Sequence, residues 1–257
     1  MNRNTAIVDF PTKRKITQHN ATIISYINKS YGRIGTAYLY KMVYKSFTPL
    51  NMAAIRSLQL PLDKPNNRIV KRVIDILLSV AVIIALLSWL IPIMAILIKM
   101  TSRGPVFFLQ KRNKRNGAVF TCIKFRSMVM NTTADILPAR ENDKRITPIG
   151  RIIRKTFIDE LPQFFNVLWG DMSVIGPRPH MLSESQRFEE EVLYYGYREQ
   201  AKPGITGLSQ IMGLEGAADS IQKMKDRTDV DIFYLTYWSL KLDLIILCRT
   251  ICKMAGL

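Results

Sequence analysis

The segment Arg154-Lys155-Thr156-Phe157-Ile158-Asp159-Glu160-Leu161-Pro162-Gln163, followed shortly by Gly176-Pro177-Arg178-Pro179, holds the residues best suited to chemistry. Two adjacent carboxylates stand where a helix should begin, with arginines before and after them. If Asp159 caps a helix that has Pro162 in its first turn, its carboxylate lies at the positive end of the helix dipole, which suits an anionic nucleophile or a phosphate. An aspartate before a helix is ordinarily only a cap. Glu160 changes that reading, because it adds a hard oxygen ligand for Mg2+, an ion usually held by one or two carboxylates together with substrate phosphates. Arg154 and Arg178 add planar forks that match phosphate oxygens. The combination points to phosphoryl transfer, in which a metal and arginines offset charge while a carboxylate can become a phosphorylated intermediate.

The elements that must position these residues include a membrane segment. No charged residue occurs from Ile76 to Ile98, a run that as a helix would be roughly 35 Å long, enough for a hydrocarbon core of about 30 Å. The flanks argue against a simple span: Arg68, Lys71 and Arg72 precede the run and Lys99, Arg103, Lys111, Arg112, Lys114 and Arg115 follow it, so both ends are drawn to the cytoplasm. Pro92 supplies a break, and a re-entrant helix that bends there satisfies both observations. Next, Pro105 to Arg112 and Ala118 to Met128 read as strands joined through Asn116-Gly117, a strong hairpin signal. Strand alternation puts Lys124 and Arg126 on one face, where they either bind phosphate or form an ordinary solvated surface.

Beyond the hairpin, residues 131–145 read as a mobile polar loop, and Ile149 to Trp169 as helical pieces interrupted near Asp159 and stopped by Gly170. Ser183 to Tyr195 is a charged amphipathic helix, and Lys202 to Gly207 is too rich in Gly and Pro for regular structure. Asp231 to Lys253 reads as an interfacial helix with an aromatic belt, or as a core helix of similar composition.

The chain has 257 residues, and 37 Lys and Arg against 20 Asp and Glu give a formal charge of +17. Such a charge attracts anionic partners. No nucleic-acid module accompanies it, and anionic membrane lipid is the simpler partner. Residues 1 to about 62 interleave Lys and Arg with Tyr and Phe and have no acidic residue between Asp9 and Asp63, as in an interfacial helix or a flexible basic tail. Cys122, Cys248 and Cys252, with only His19 and His180, fit a reduced, cytoplasm-facing protein without a zinc site or a histidine triad. No cleaved signal peptide is recognisable.

Several ordered motifs resemble the bacterial sugar transferases, the monotopic polyprenyl-phosphate phosphoglycosyl transferases: Lys71-Arg72-Val73-Ile74-Asp75, Pro105-Val106-Phe107-Phe108, Lys124-Phe125-Arg126-Ser127-Met128, Asp159-Glu160-Leu161-Pro162-Gln163, Gly176-Pro177-Arg178-Pro179 and Lys202-Pro203-Gly204-Ile205-Thr206-Gly207. The resemblance covers about residues 68 to 252. It implies a mixed α/β, mainly helical monotopic membrane protein with a small β-hairpin, interfacial amphipathic helices and a re-entrant helix broken at Pro92. It divides the chain into a basic extension (1–66), a membrane helix (67–103) and a cytoplasmic catalytic domain (104–257) on the inner membrane of a bacterium.

In the activity it implies, Asp159 attacks a UDP-sugar, releasing UMP, and undecaprenyl phosphate then takes the sugar phosphate, the first step of a capsule, exopolysaccharide or lipopolysaccharide. Glu160 would hold Mg2+, and Arg154, Arg178, Lys124, Arg126 and Gln163 would bind substrate. The alternative is a non-catalytic membrane-bound scaffold of glycan assembly. Which sugar moves and the oligomeric state stay open. Departures from the family pattern fall at Ile91, Lys114, Phe157 and Leu214.

Overall fold

The computed structural model describes residues 60–134, 139, 143–216 and 220–255. The basic leader up to residue 59, and much of the loop expected over 131–145, lie outside the described residues.

A helix from Pro65 to Thr101 leads into everything that follows. Its first section, α1 (Pro65–Val82), begins with a proline where the missing amide costs no hydrogen bond. Ile83–Leu87 take the wider π-helical winding, and α2 (Ser88–Thr101) resumes the α-helix. The whole is long and apolar enough to cross a membrane by length and composition, and 22% of its most apolar window is buried within the protein.

The winding changes upstream of Pro92, while helix is retained across the proline itself. Pro92 cannot donate to the Ser88 carbonyl, and a π segment is a recognised way for a helix to absorb such a defect. Side chains serve the loosened carbonyls: the Ser88 hydroxyl donates to Ile84 at 2.7 Å and the Trp89 indole to Ala85 at 2.9 Å.

After α2 come the hairpin strands β1 (Phe107–Asn113) and β2 (Val119–Phe125), paired from Phe107 opposite Phe125 to Asn113 opposite Val119. The turn has Asn116 and Gly117 both at positive φ, 61° and 71°, the backbone that made Asn-Gly a hairpin signal. Then follow α3 (Pro148–Lys155), a 3-10 turn (Ile158–Glu160), α4 (Gln163–Trp169), β3 (Ser173–Ile175), α5 (Leu182–Glu191), β4 (Gly204–Thr206), α6 (Leu208–Ile211), α7 (Ile221–Thr236) and α8 (Leu240–Met254). Among the described residues this is a mainly helical fold with two small sheets.

Two segments differ from expectation. Gly204–Thr206, expected to be irregular, pairs in parallel with Ser173–Ile175. Its glycines are what permit the pairing: a Cβ on Gly204 would lie 2.1 Å from the Gly176 nitrogen. The single helix expected over Asp231 to Lys253 is two, because Ser239 caps α8 by accepting from the Leu242 amide at 3.2 Å. Phe233, Tyr234 and Trp238 are buried, so that end of the segment is core and not an aromatic belt.

Among the described residues, the long apolar helix packs directly on the chain that follows it. Leu87, Leu90, Met94 and Ile98 recur on one face of the helix and are buried with Phe125 of β2 and Ile153 of α3. Ile84, Trp89, Ile93, Ile96 and Met100 stay exposed, an apolar surface of the kind that marks a protein or membrane contact.

The Lys71 to Asp75 motif fastens the other end. Lys71 pairs with Asp243 at 2.7 Å, Arg72 donates to the Leu168 carbonyl at 2.8 Å, and Asp75 accepts from the Val174 amide at 2.9 Å and the Ser173 hydroxyl at 3.0 Å.

Candidate active site

The dyad sits where the chain reverses between α3 and α4. Phe157 makes that reversal in the left-handed conformation, φ 57°, which costs a residue with a Cβ about 1–2 kcal/mol. Its amide donates to Arg154 and its carbonyl accepts from Glu160, so the strained residue sets the direction in which the carboxylates leave the backbone. Asn166 on α4 clamps this turn to the hairpin, donating to the Thr121 carbonyl at 2.8 Å and accepting from the Ile123 amide at 3.0 Å.

Asp159 is not a helix cap. It lies inside the 3-10 turn, and the position before α4 is Pro162, which has no side-chain cap bond. Its carboxylate therefore does not sit at the N-terminal dipole of α4.

The two carboxylates are buried, with 7% and 9% of their residues exposed, and they live in different surroundings. Glu160 is locked: Arg178 grips it through Nη2 to Oε1 at 2.5 Å and Nη1 to Oε2 at 3.1 Å, while Lys124 Nζ reaches Oε1 at 2.9 Å. Burial opposes its ionisation, but Arg178 and Lys124 together outweigh it and hold its pKa well below the usual carboxylate range. Asp159 makes no hydrogen bond among the described residues. Burial, and next the Glu160 charge, raise it to about 6, against the pull of Lys124, Arg154 and Arg178. Such divergence marks paired groups with different roles.

Both face a cavity of about 230 Å3. Among its described lining residues, Arg112, Lys124, Arg126, Arg154, Arg178 and Arg227 outnumber Asp159, Glu160 and Glu184 by three charges. A cleft with that surplus favours an anion carrying several charges.

The expected site residues divide. Lys124, Arg126, Arg154 and Arg178 all line the cavity with the dyad. The Arg154 guanidinium donates to the Ser127 hydroxyl at 3.4 Å and hydrogen-bonds no carboxylate among the described residues, although its charge acts on Asp159. Arg126 is engaged elsewhere, donating through Nη1 to the Arg103 carbonyl and at 2.8 Å through Nη2 to that of Ser102, so it holds the end of α2. Gln163 is buried, does not line the cavity and has an unpartnered Nε2.

Glu160 as arranged does not fit a metal ligand. Both of its oxygens already accept from cations. A dication there would have to displace Lys124 or Arg178.

Sequence reasoning missed Arg112, His180, Arg198 and Arg227. Arg198 donates to the Arg178 carbonyl at 2.7 Å, and Arg112 donates to that of Pro179. Together they fix the Pro-Arg-Pro loop by its backbone. His180 is buried, and desolvation, then Arg198 and Arg227, hold its pKa well below the usual value, so it is neutral. Only its place directly after Pro179 could have flagged it.

A cationic cavity around one free and one locked carboxylate, on a domain fastened to a long apolar helix, is a site suited to an anion carrying several charges. The chain belongs to the bacterial sugar transferase family, whose pattern matches residues 66–256. It is 44% identical over 188 residues to a UDP-glucose:undecaprenyl-phosphate glucose-1-phosphate transferase of Klebsiella pneumoniae, covering 73% of this chain and 40% of that protein. A protein of the same description from Caulobacter vibrioides is 41% identical over 192 residues, covering 74% and 72%. A UDP-N-acetylgalactosamine-undecaprenyl-phosphate N-acetylgalactosaminephosphotransferase of Aeromonas hydrophila is 42% identical over 191 residues, covering 74% and 44%. The chain thus spans about two fifths of the Klebsiella and Aeromonas proteins' length.

Proposed function

We propose that this protein transfers a sugar-1-phosphate from a UDP-sugar to undecaprenyl phosphate through an aspartyl-phosphosugar intermediate. The observation that carries the proposal is the unengaged Asp159 carboxylate in a cationic cavity, beside a Glu160 that cannot share its role because Lys124 and Arg178 hold it. An Asp159 oxygen attacks the donor's β-phosphorus, the bond to the bridging oxygen breaks, and the electron pair leaves on UMP. An oxygen of undecaprenyl phosphate then attacks the same phosphorus and frees the carboxylate. Arg154, which hydrogen-bonds no carboxylate among the described residues, and Arg178 oppose the charge that builds on the phosphoryl oxygens. No step runs through a metal. The resemblance implies Mg2+, whose entry at Glu160 would require the displacement described above.

The membrane placement proposed is the cytoplasmic face of the bacterial inner membrane, with anionic lipid as a partner and the helix re-entrant. Its support is that both ends of the helix are tied to one domain, through Lys71, Arg72 and Asp75 at the start and Arg126 at Ser102 and Arg103 at the end. A spanning helix would separate those ends by a bilayer.

The test is UMP release by detergent-solubilised protein from UDP-glucose, UDP-galactose and UDP-N-acetylgalactosamine, each with undecaprenyl phosphate, beside Asp159→Asn. UMP from one donor, lost in the variant, supports the proposal; UDP as product contradicts it.

A further inference from the structure

One arginine in the cavity wall has no part in the steps above. Arg227, on α7, is 3% exposed and lines the cavity. Its Nε donates to the Leu214 carbonyl at 2.8 Å and its Nη2 to that of Gly216 at 2.9 Å, while Nη1 lies 3.1 Å from His180 Nε2. It has no carboxylate partner among the described residues. Asp231 is taken by Arg198 Nη2 and Nε, at 2.6 and 2.9 Å, and by the Ser209 hydroxyl at 2.9 Å. Burial, and then the charge of Arg198, lower the Arg227 pKa to about 10. A buried cation in that position lacks an anion.

His180 sharpens the point. A neutral imidazole offers one N–H and one acceptor. Nδ1 has Tyr195 Oη at 2.6 Å and Arg198 Nη1 at 2.9 Å, and Nε2 has Arg227 Nη1. Two arginine donors therefore face a ring that can accept from one. Arg198 is fixed by Asp231 and by the Arg178 carbonyl, and it does not line the cavity. Arg227 is the arginine with another place to turn.

We propose that Arg227 Nη1 binds a phosphate oxygen of a substrate in this cavity, next to Arg178. The identity of that phosphate rests on the transferase reading, and it comes either from the donor's diphosphate or from the polyprenyl phosphate acceptor. Nε and Nη2 meanwhile hold the 214–216 loop at the cavity edge, so binding and loop position share one side chain.

The experiment compares wild type, Arg227→Gln and Arg227→Lys as full chains in detergent. KM is measured for the UDP-sugar that wild type consumes and for undecaprenyl phosphate, together with the rise in melting temperature caused by inorganic pyrophosphate. A KM for one substrate raised about tenfold or more in Arg227→Gln, the worth of one hydrogen bond from a charged donor, is the expected result. A raised donor KM with loss of the pyrophosphate effect assigns the donor. A raised acceptor KM with the first-turnover release of UMP intact assigns the lipid phosphate. Both KM values unchanged, even with kcat lowered, overturns the proposal and leaves Arg227 a loop clamp. If Arg227→Gln does not fold, the same criteria apply to Arg227→Lys, which keeps the charge and loses the fork. If wild type releases no UMP from any donor, the transferase reading fails separately. Pyrophosphate then decides: an effect present in wild type and lost in Arg227→Lys supports the proposal, while an equal or absent effect overturns it.

Discussion

Replacing Asp159 by Asn should stabilise the protein, and the gain should grow with pH. The native pKa of Asp159 is about 6, against an ordinary value of 3.8. Because the folded-state pKa is raised, folding favours the protonated acid. Stability from this group is fully present below 3.8 and is lost as pH climbs through 6. At about 1.4 kcal/mol per unit, the whole loss is about 3 kcal/mol, and roughly half of it falls between pH 5 and pH 8. The Asn variant has no such titration, so its advantage should widen by about 1.5 kcal/mol over that range, or about 3–6 °C in melting temperature for a chain of this size. Thermal melts of both proteins in one detergent at pH 5, 6, 7 and 8 read this directly. A constant difference across the four values would refute the claim that burial and Glu160 hold Asp159 back from ionisation.

Other outcomes follow from the same geometry. Glu160→Ala leaves the half-buried Lys124 and Arg178 without their anion and should destabilise by about 1–3 kcal/mol, measured by denaturant titration in detergent; Arg178→Ala should cost a similar amount. Phe157→Asn should be neutral or stabilising by up to about 1 kcal/mol, since asparagine tolerates φ 57°, whereas Phe157→Val should lower the melting temperature. Gly204→Ala puts a Cβ 2.1 Å from the Gly176 nitrogen and 2.4 Å from the Thr206 oxygen, so it should separate β3 from β4 and expose their amides to hydrogen exchange. The rate of UMP release should fall about tenfold per pH unit below the Asp159 pKa, because only the carboxylate attacks.

What could be read from the sequence was what local chemistry dictates. Asn116-Gly117 fixed the hairpin because few other pairs take two positive φ values, and the pattern of apolar residues marked the long helix. Gly170 ended α4 in the left-handed conformation, φ 93°. The dyad and the cations Lys124, Arg126, Arg154 and Arg178 do converge on one cavity.

What depended on distant contacts was not legible. Within Lys202 to Gly207, Gly204–Thr206 becomes a strand only because β3 approaches glycines that leave it room. Arg126 looked like a phosphate ligand from its strand position, yet the end of α2, more than twenty residues away in sequence, takes two of its donors. Gln163, chosen for its place in the motif, turns out of the cavity's lining. Arg112, His180, Arg198 and Arg227 gain their meaning from each other, across a network that no spacing encodes.

The most direct test of the central claim is to mix the protein with its UDP-sugar in the absence of undecaprenyl phosphate and measure UMP and protein mass together. Asp159 as nucleophile predicts one equivalent of UMP at most, with a sugar-phosphate mass increment on the peptide bearing Asp159 that disappears when undecaprenyl phosphate is added. An increment on another residue, or UMP that appears only once the acceptor is present, would contradict Asp159 as the nucleophile.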